Sequence, residues 1–415
     1  MNGSKAMLRA KWIAPMDRPI LRDAAVVFAD GRVIDLGDER SMAAAHPEAH
    51  ATDLDDAILL PGLINAHTHL ELSTCTVAAA PASFVEWILG IREQLKQTGL
   101  DEVPRAQIAT RAGIEQCLRF GVTCVGDISQ NSHASRPTIH ASPLRCVSYG
   151  EALGLGGLRA QYQRLLARAL DRSAESQRVR IGLSPHAPYT VDLDGYRECI
   201  DLARQHDLPL ATHLAETPDE RPFLEHHAGP FREMWDALGL WRDGVPTHRG
   251  PPIEFARDVG LLDQPALLAH VNYCDDEELA MLARGRASVV YCPRTHAYFR
   301  HPPHRWREML ACGINVAVGT DSCASAPDLN IVAELHLLHD IAPDVEAEVL
   351  WQMATTRAAR AIRMDHALGS ITPGKAADFT AFRAHSDEPL LEVLRTRDLP
   401  AAVWIAGMPA TRPPS

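Results

Sequence analysis

The feature that most constrains the fold is a series of short apolar segments, each followed closely by a polar residue. Helical stretches separate them along most of the chain. Eight such segments can be recognised, at 59–65, 122–126, 144–149, 179–184, 208–212, 266–269, 287–291 and 314–319. Buried strands that alternate with helices predict a parallel sheet. Eight of them predict an α/β fold, a (β/α)₈ barrel of the TIM type.

The residues at the ends of these segments carry chemically active side chains. They are His67, Asp127, Glu151, His186, His213, His270, Cys292 and Asp321. Active sites of such barrels lie at the carboxyl ends of the strands, in the loops that follow them. Core histidines without a function would fall anywhere in the chain. The pattern therefore predicts an enzyme.

The two ends of the chain have a different pattern of apolar residues from the middle. Residues 24–28 and 33–36 flank a turn, which is typical of a β-hairpin. Residues 379–382 and 402–405 are also strand-like. We therefore expect a small β-sandwich domain built from residues 1–59 and 366–415, around a catalytic barrel at 60–365.

Composition narrows the possible partners and the compartment. The net charge of −12 argues against nucleic acid, which needs a basic surface. No stretch approaches the roughly 20 apolar residues of a membrane span, and the first residues carry no apolar run typical of a signal peptide. The 9 cysteines form no C-x-x-C pair, which favours reduced thiols. We expect a cytoplasmic enzyme for a small molecule, off the membrane, as a homo-oligomer such as a dimer.

A metal site is the first chemical expectation. Alternation along an extended backbone puts the imidazoles of His67 and His69 on one side. His213 offers a third nitrogen and Asp321 an oxygen, although an aspartate there also suits a helix N-cap. Three histidines and a carboxylate suit one divalent ion with a position left for water.

The few lysines bear on the number of ions. Barrels with two metals commonly bridge them with a carboxylated lysine from a barrel strand. The lysines here are Lys5, Lys11, Lys96 and Lys375, and none lies on a predicted barrel strand. A single ion per chain is therefore favoured.

Further residues suit proton transfer and substrate contact. Glu216 follows His213 by three residues, where a proton shuttle would stand, unless it is a solvated surface glutamate. His270 could orient the attacking water with Asp321, and His186 could contact the substrate. Glu71 is a further candidate substrate contact.

Two segments are candidates for covering the site. Residues 83–97 have helical periodicity, and Trp87 either faces the substrate or is part of the core. The segment between Glu216 and His270 is longer than a minimal barrel connection, which predicts a lid.

Several motifs taken in order resemble the amidohydrolase superfamily, in the branch of cytosine, guanine, chlorotriazine and S-adenosylhomocysteine deaminases. They are PGLINAHTH at 61–69, SPHAP at 184–188, THLAE at 212–216, LAH at 268–270, GTDS at 319–322 and GSITPGKAAD at 369–378. The resemblance implies metal ligation by His67, His69, His213 and Asp321. It implies proton transfer by Glu216, water orientation by His270 and substrate contact by His186, with zinc or sometimes iron as the ion.

One loop departs from the family pattern. Adenosine-type members commonly carry Pro-x-Ser-Asn after the seventh strand, whereas this chain has Pro-Arg-Thr-His at 293–296. The loop resembles that of deaminases acting on 6-aminodeoxyfutalosine, an adenine nucleoside with an aromatic acid on its 5′ side. Arg294 and His296, with Arg300 and His301, would then meet the carboxylate, or they are rim residues.

The expected activity is therefore hydrolytic deamination of an aminated N-heterocycle, with 6-aminodeoxyfutalosine as the first choice. S-adenosylhomocysteine or 5′-methylthioadenosine is the alternative among nucleosides. A ring-amide or chlorotriazine hydrolase on the same metal site is a second alternative, and a non-catalytic binder is a third.

Overall fold

The computed structural model describes residues 4–77, 81 and 83–410. Its strands are β1 (Ala6–Ile13), β2 (Leu21–Ala29), β3 (Arg32–Asp38), β4 (His50–Asp53), β5 (Ala57–Pro61), β6 (Leu63–Thr68), β7 (Val122–Ser129), β8 (Arg145–Ala152), β9 (Val179–Pro185), β10 (Ala211–Leu214), β11 (Leu267–His270), β12 (Ser288–Tyr291), β13 (Asn315–Val318), β14 (Phe379–Arg383), β15 (Ala402–Ile405) and β16 (Met408–Pro409).

The helices of the described residues surround these strands. They are α1 (Glu39–Ala45), α2 (Phe84–Gln97), α3 (Glu102–Arg119), α4 (Ser132–His140), α5 (Tyr162–Ala169), α6 (Leu193–Gln205), α7 (Glu220–His226), α8 (Pro230–Ala237), α9 (Pro252–Asp258), α10 (Asp276–Arg284), α11 (Pro293–Tyr298), α12 (Trp306–Ala311), α13 (Ile331–Ile341), α14 (Ala347–Met353), α15 (Thr356–Ala361) and α16 (Pro389–Thr396), with 3₁₀ turns at Leu70–Leu72 and Gly156–Gln161. Within the described part of the chain, none of them is both long and apolar enough to cross a bilayer.

Eight parallel strands form the predicted barrel. Strands β6–β9 make one parallel sheet and β10–β13 make another. Parallel bridges at Leu183–Leu210 and at Thr68–Asp321 join the two sheets and close the ring. Each of the eight predicted segments contains or overlaps a barrel strand, and the strands are buried almost throughout, as expected for a parallel sheet covered by helices.

A second sheet joins both ends of the chain. It runs in the order β16-β15-β14-β5-β1-β2-β3, with β4 beside β1. The sheet curls, so that Phe28 of β2 lies 5.5 Å from Phe379 of β14, ring centre to ring centre. An apolar cluster fills the space between the curled ends, as the core of a sandwich does.

The first domain boundary lies later than the sequence predicted. Residues 59–65 were expected to form one strand, but they form the end of β5 and the start of β6, separated by Gly62. β5 pairs with β14 as far as Pro61, so the β domain extends past residue 59. A Cβ at Gly62 would lie 2.1 Å from Oγ1 of Thr123. Glycine therefore lets the chain leave one sheet and enter the other in close contact with β7.

A buried ion pair fastens the β domain to the barrel. Arg145, at the start of β8, donates from Nε to Asp378 over 2.6 Å and from Nη2 over 3.1 Å. Asp378 also accepts from the backbone N–H of Ala406. The Arg145 and Asp378 side chains are only 11% and 3% exposed, so each charge depends on the other for compensation.

We expect Asp378→Asn to lower the free energy of unfolding by about 3–5 kcal/mol, because the neutral amide leaves the buried guanidinium without a counter-charge. Guanidinium denaturation followed by circular dichroism measures it. Asp340→Asn is the control, because Asp340 pairs with Arg397 at the surface, and the cost there should stay within about 1 kcal/mol. Equal losses in the two variants would show that the buried pair does not fasten the domains.

Candidate active site

Three histidines meet at the carboxyl end of the barrel. His67 and His69 lie at the end of β6, and His213 lies on β10. Their nearest ring nitrogens all lie within 4.8 Å of one another. Nε2 of His69 is 3.2 Å from Nε2 of His213. Two ring nitrogens this close repel if both carry protons, but they converge well on a cation.

Backbone carbonyls orient two of these rings. Nδ1 of His69 lies 2.9 Å from the carbonyl oxygen of Ile128, and Nδ1 of His213 lies 3.1 Å from that of His186. A proton on Nδ1 then donates to the carbonyl and leaves the lone pair of Nε2 directed at the centre, as in metal-binding histidines. Both ring nitrogens of His67 are buried without a hydrogen-bond partner among the described residues. A cation would provide the missing partner.

Burial keeps all three rings neutral. Removal from water lowers the pKa of His69 to about 3 and that of His213 to about 4. Burial, and then the neighbouring histidines, hold the pKa of His67 well below its usual value. Neutral imidazole is the form that binds a metal, so protons do not compete for these nitrogens near pH 7.

Asp321 adds an oxygen that could serve as a fourth ligand. Its Oδ1 lies 3.8 Å from Nε2 of His67 and 3.6 Å from Nε2 of His69. Its Oδ2 accepts a hydrogen bond from Ser325. Burial raises the pKa of Asp321 to about 7, and a nearby cation would favour the ionised form. The structure thus brings together the four predicted ligands in an arrangement that can hold a divalent ion.

A second pair of groups stands beside Asp321. Oε1 of Glu216 lies 3.3 Å from Nε2 of His270, and both side chains are buried. Burial, followed by the charges of Asp321 and Glu220, holds the pKa of Glu216 well above its usual value. The pKa of His270 is held well below its usual value by burial and then by neighbouring histidines. Burial therefore favours the protonated form of Glu216 and the neutral form of His270.

Four of these residues, His69, His213, Glu216 and Asp321, line a cavity of about 480 Å³. Apolar side chains from α2, α8 and the segment after α8 cover much of its wall. They include Phe84, Trp87, Ile88, Met234, Trp235, Leu238 and Leu240. The segment between Glu216 and His270, which the sequence predicts as a lid, contains helices α7 to α9, and α8 forms part of the cavity wall.

Three predicted substrate contacts line this cavity. Trp87 is held by a hydrogen bond from its indole N–H to the carbonyl of Ala324. His186 is oriented by Thr190, whose Oγ1 lies 2.8 Å from Nδ1. Glu71 accepts hydrogen bonds from the backbone N–H groups of Gln130 and Asn131 at the cavity edge.

The loop after β12 was expected to contact the substrate, but its residues Arg294 and His296 do not reach the cavity. Arg294 donates from Nε to Glu334 over 2.5 Å, and its other nitrogens donate to Asp328 and to the carbonyl of Asn330. Its guanidinium is therefore occupied by partners within the fold. His296 packs behind the site against other rings, and neither residue lines the cavity. The expectation that Arg294 and His296 contact substrate is corrected, because long-range ion pairing holds this loop outside the cavity.

Other charged groups line the cavity instead. Glu151 ends β8, and its Oε1 lies 3.7 Å from Nε2 of His186. Its position at a strand end was the signal that could have assigned it to the site. Arg92 of α2 and Arg105 of α3 also line the cavity and have no ion-pair partner among the described residues. Nothing in the sequence around these two arginines distinguishes them from surface residues.

Comparison with known proteins agrees with this geometry. The model of the Amidohydrolase family matches residues 58–408. A 5-methylthioadenosine/S-adenosylhomocysteine deaminase of Desulfovibrio desulfuricans is 30% identical over 396 residues, covering 92% of this chain and 84% of that protein. An aminodeoxyfutalosine deaminase of Deinococcus radiodurans is 29% identical over 351 residues, covering 80% and 81%.

A solved structure shows the same fold. The crystal structure of Helicobacter pylori aminofutalosine deaminase superimposes with a TM-score of 0.84 at 24% identity, covering 98% of this chain and 99% of that chain. The barrel, the appended β sheet and the histidines and carboxylates at the strand ends place the protein in a class of hydrolases whose sites can hold a metal ion. The chain belongs to the Amidohydrolase family. The predicted family and the predicted enzyme class, a hydrolase acting on a C–N bond, are confirmed.

We expect His69→Ala to lose most of its bound divalent ion while the barrel stays folded, because the ring contributes one of the converging nitrogens but little to the core. Elemental analysis after dialysis measures the ion, and circular dichroism measures the fold. His226→Ala, which removes an exposed histidine, should retain the ion. A melted His69→Ala protein would mean that the ion is structural, and undiminished metal content would remove His69 from the site.

Proposed function

We propose that this protein is a mononuclear metal-dependent deaminase that releases ammonia from an adenine-type nucleoside. The observation that supports this most directly is that the buried carboxyl of Glu216, whose pKa is raised, lies 3.3 Å from Nε2 of His270 and close to Asp321. Deamination needs a group that gives protons to the heterocycle and a separate group that holds water, and this pair supplies both.

In the proposed mechanism Asp321 and His270 hold the attacking water and accept its proton. Glu216 gives its proton to the ring nitrogen next to the carbon that carries the amine. After water has added to that carbon, Glu216 takes the proton of the new hydroxyl group and passes it to the departing amine, so that the C=O bond forms and ammonia leaves. The proton held by Asp321 and His270 then returns to Glu216. His186 and Glu151 contact the substrate from the opposite side of the cavity.

The ion proposed is a single Zn²⁺, with Fe²⁺ as the alternative. When bound, such an ion acts as a Lewis acid that lowers the pKa of a coordinated water molecule towards about 7. Three neutral imidazoles and one carboxylate suit it. The cavity is lined by no lysine among the described residues, so the usual bridging ligand of a two-metal barrel is lacking there.

The residues that line the cavity indicate which kind of substrate it can bind. Its apolar wall can hold a purine and an aromatic group, and Arg92 and Arg105 can meet an anion near the outer part of the wall. We place 6-aminodeoxyfutalosine first, with its carboxylate near these arginines. S-adenosylhomocysteine and 5′-methylthioadenosine are the second choice, supported by the relatives of that name. A ring-amide or chlorotriazine hydrolase would use the same metal site, but its reaction would release no ammonia and would not need Glu216 to protonate an amine.

We further propose that the enzyme works in the cytoplasm as a homo-oligomer, a dimer in the simplest case. All nine cysteines are unpaired, as expected in a reducing compartment. Leu89 of α2 and Val103 and Ile108 of α3 are exposed apolar side chains of the kind that a second subunit could cover.

We expect Glu216→Gln to lower kcat by a factor of about 10² to 10⁴, because the amide cannot shuttle the proton. Ammonia release from 6-aminodeoxyfutalosine, S-adenosylhomocysteine, 5′-methylthioadenosine and adenosine measures it, at constant metal content. Glu225→Gln, a change on the neighbouring helix outside the cavity, should behave like the wild type. Near-normal turnover by Glu216→Gln would remove its role, and release of a ring-opened acid or halide by the wild type would replace the deaminase proposal.

A further prediction concerns Arg92 and Arg105. Replacing Arg92 and Arg105 together by alanine should lower the preference for a 5′ carboxylate over a neutral 5′ group by about ten- to a hundredfold in kcat/KM, since a hydrogen bond to a charged group contributes about 1.5–3 kcal/mol. Arg111→Ala is the control, because Arg111 is exposed on α3 outside the cavity. An unchanged preference would show that these arginines do not recognise the carboxylate. A wild type that prefers adenosine would overturn the substrate but leave the deaminase proposal standing.

A further inference from the structure

The backbone just before Glu216 adopts an unusual turn. Strand β10 ends at Leu214, and the next residue, Ala215, has φ of +50°. Residues with a Cβ rarely adopt this left-handed conformation, so it persists only where surrounding bonds hold it. The direction in which Glu216 leaves the strand depends on this turn.

A second glutamate holds the turn from one side. The carboxylate of Glu220, at the start of α7, accepts hydrogen bonds from the backbone N–H groups of Ala215 over 2.9 Å, Glu216 over 2.6 Å and Thr217 over 3.4 Å. Glu220 is fully buried. No arginine, lysine or histidine pairs with it among the described residues. The three amides are therefore the donors that allow this carboxylate to stay buried.

An asparagine holds the same peptide from the other side. Nδ2 of Asn272 donates to the carbonyl oxygen of Glu216 over 2.9 Å. Asn272 is buried and follows His270 by two residues. The backbone of Glu216 is thus fixed at its N–H by α7 and at its C=O by the loop that carries His270. From this fixed backbone the side chain of Glu216 reaches to 3.3 Å from Nε2 of His270.

We propose that Glu220 is a positioning residue that directs the carboxyl group of Glu216 towards His270 and the reacting atoms, with Asn272 as the opposing support. This rests on the proposed function of Glu216. Glu220 does not line the cavity, so it acts on the reaction through Glu216 alone. A residue of this kind changes turnover without changing substrate affinity, since the groups that bind the substrate remain in place.

A double-mutant cycle tests this. In Glu220→Gln the side-chain nitrogen cannot accept an N–H, so at least one of the three bonds is lost at nearly constant shape. We expect kcat to fall about tenfold to a hundredfold with KM within about twofold, since small misplacements of a catalytic group have effects of this size. In a Glu216→Gln background the same change should have no further effect on kcat. Equal effects of Glu220→Gln in both backgrounds would overturn the proposal.

The matched control is Glu278→Gln. Glu278 is another buried glutamate that accepts from a backbone N–H, that of Asp275, at the start of α10 and outside the cavity. It should leave kcat unchanged. Asn272→Ala provides a second route if Glu220→Gln folds poorly. It should lower kcat in the wild-type background and not in Glu216→Gln.

Hydrogen exchange gives a readout that needs no substrate. The amides of residues 215–217 should exchange at least tenfold faster in Glu220→Gln than in the wild type or in Glu278→Gln, with metal content unchanged. Unchanged exchange there would show that Glu220 does not hold the turn. If the wild type releases no ammonia while the exchange result is as expected, the proposed activity fails and the structural role of Glu220 stands.

Discussion

The site depends first on the closure of the barrel between its first and last strands. The carbonyl of His67 accepts hydrogen bonds from the backbone N–H groups of both Thr320 and Asp321, and Oγ1 of Thr68 donates to the carbonyl of Asp321. A Cβ on Gly319 would lie 2.8 Å from Cβ of His67, so only glycine permits this approach. These contacts bring residues about 250 positions apart into register. Without them the carboxylate of Asp321 would not face the histidines.

Burial then shifts the pKa values of the titratable groups of the site towards their neutral forms. Exclusion of water disfavours any charged form, so it lowers the pKa of the imidazoles and raises the pKa of the carboxyls. In His69 and His213 this frees lone pairs for a cation. In Glu216 it favours the protonated form of the carboxyl. A single physical condition, the burial of the strand ends, thus favours both the neutral imidazoles and the protonated carboxyl that the proposed mechanism uses.

The strand ends were predictable because the pattern that marks them is local. A short apolar run followed by a histidine or carboxylate specifies its own place in a barrel, which accounts for His67, His213 and Asp321. The split of residues 59–65 at Gly62 was not foreseen, because it reflects a close approach to Thr123 in another strand. The placement of Arg294 was also missed, since its partner Glu334 lies 40 residues further along the chain. Arg92 lines the cavity only through the packing of α2, which leaves no periodic trace in the sequence.

The pairing of β5 with β14 has a consequence for how the protein is made. Pro61 lies opposite Phe379, so the edge of β5 stays open until more than three hundred further residues have left the ribosome. At about 5–20 residues per second this wait lasts on the order of 20–60 seconds. During that time an apolar strand with unpaired backbone groups is exposed to other nascent chains, which is a hazard for edge-to-edge association. The nascent chain is therefore most in need of a chaperone at its amino-terminal sheet, far from the catalytic centre.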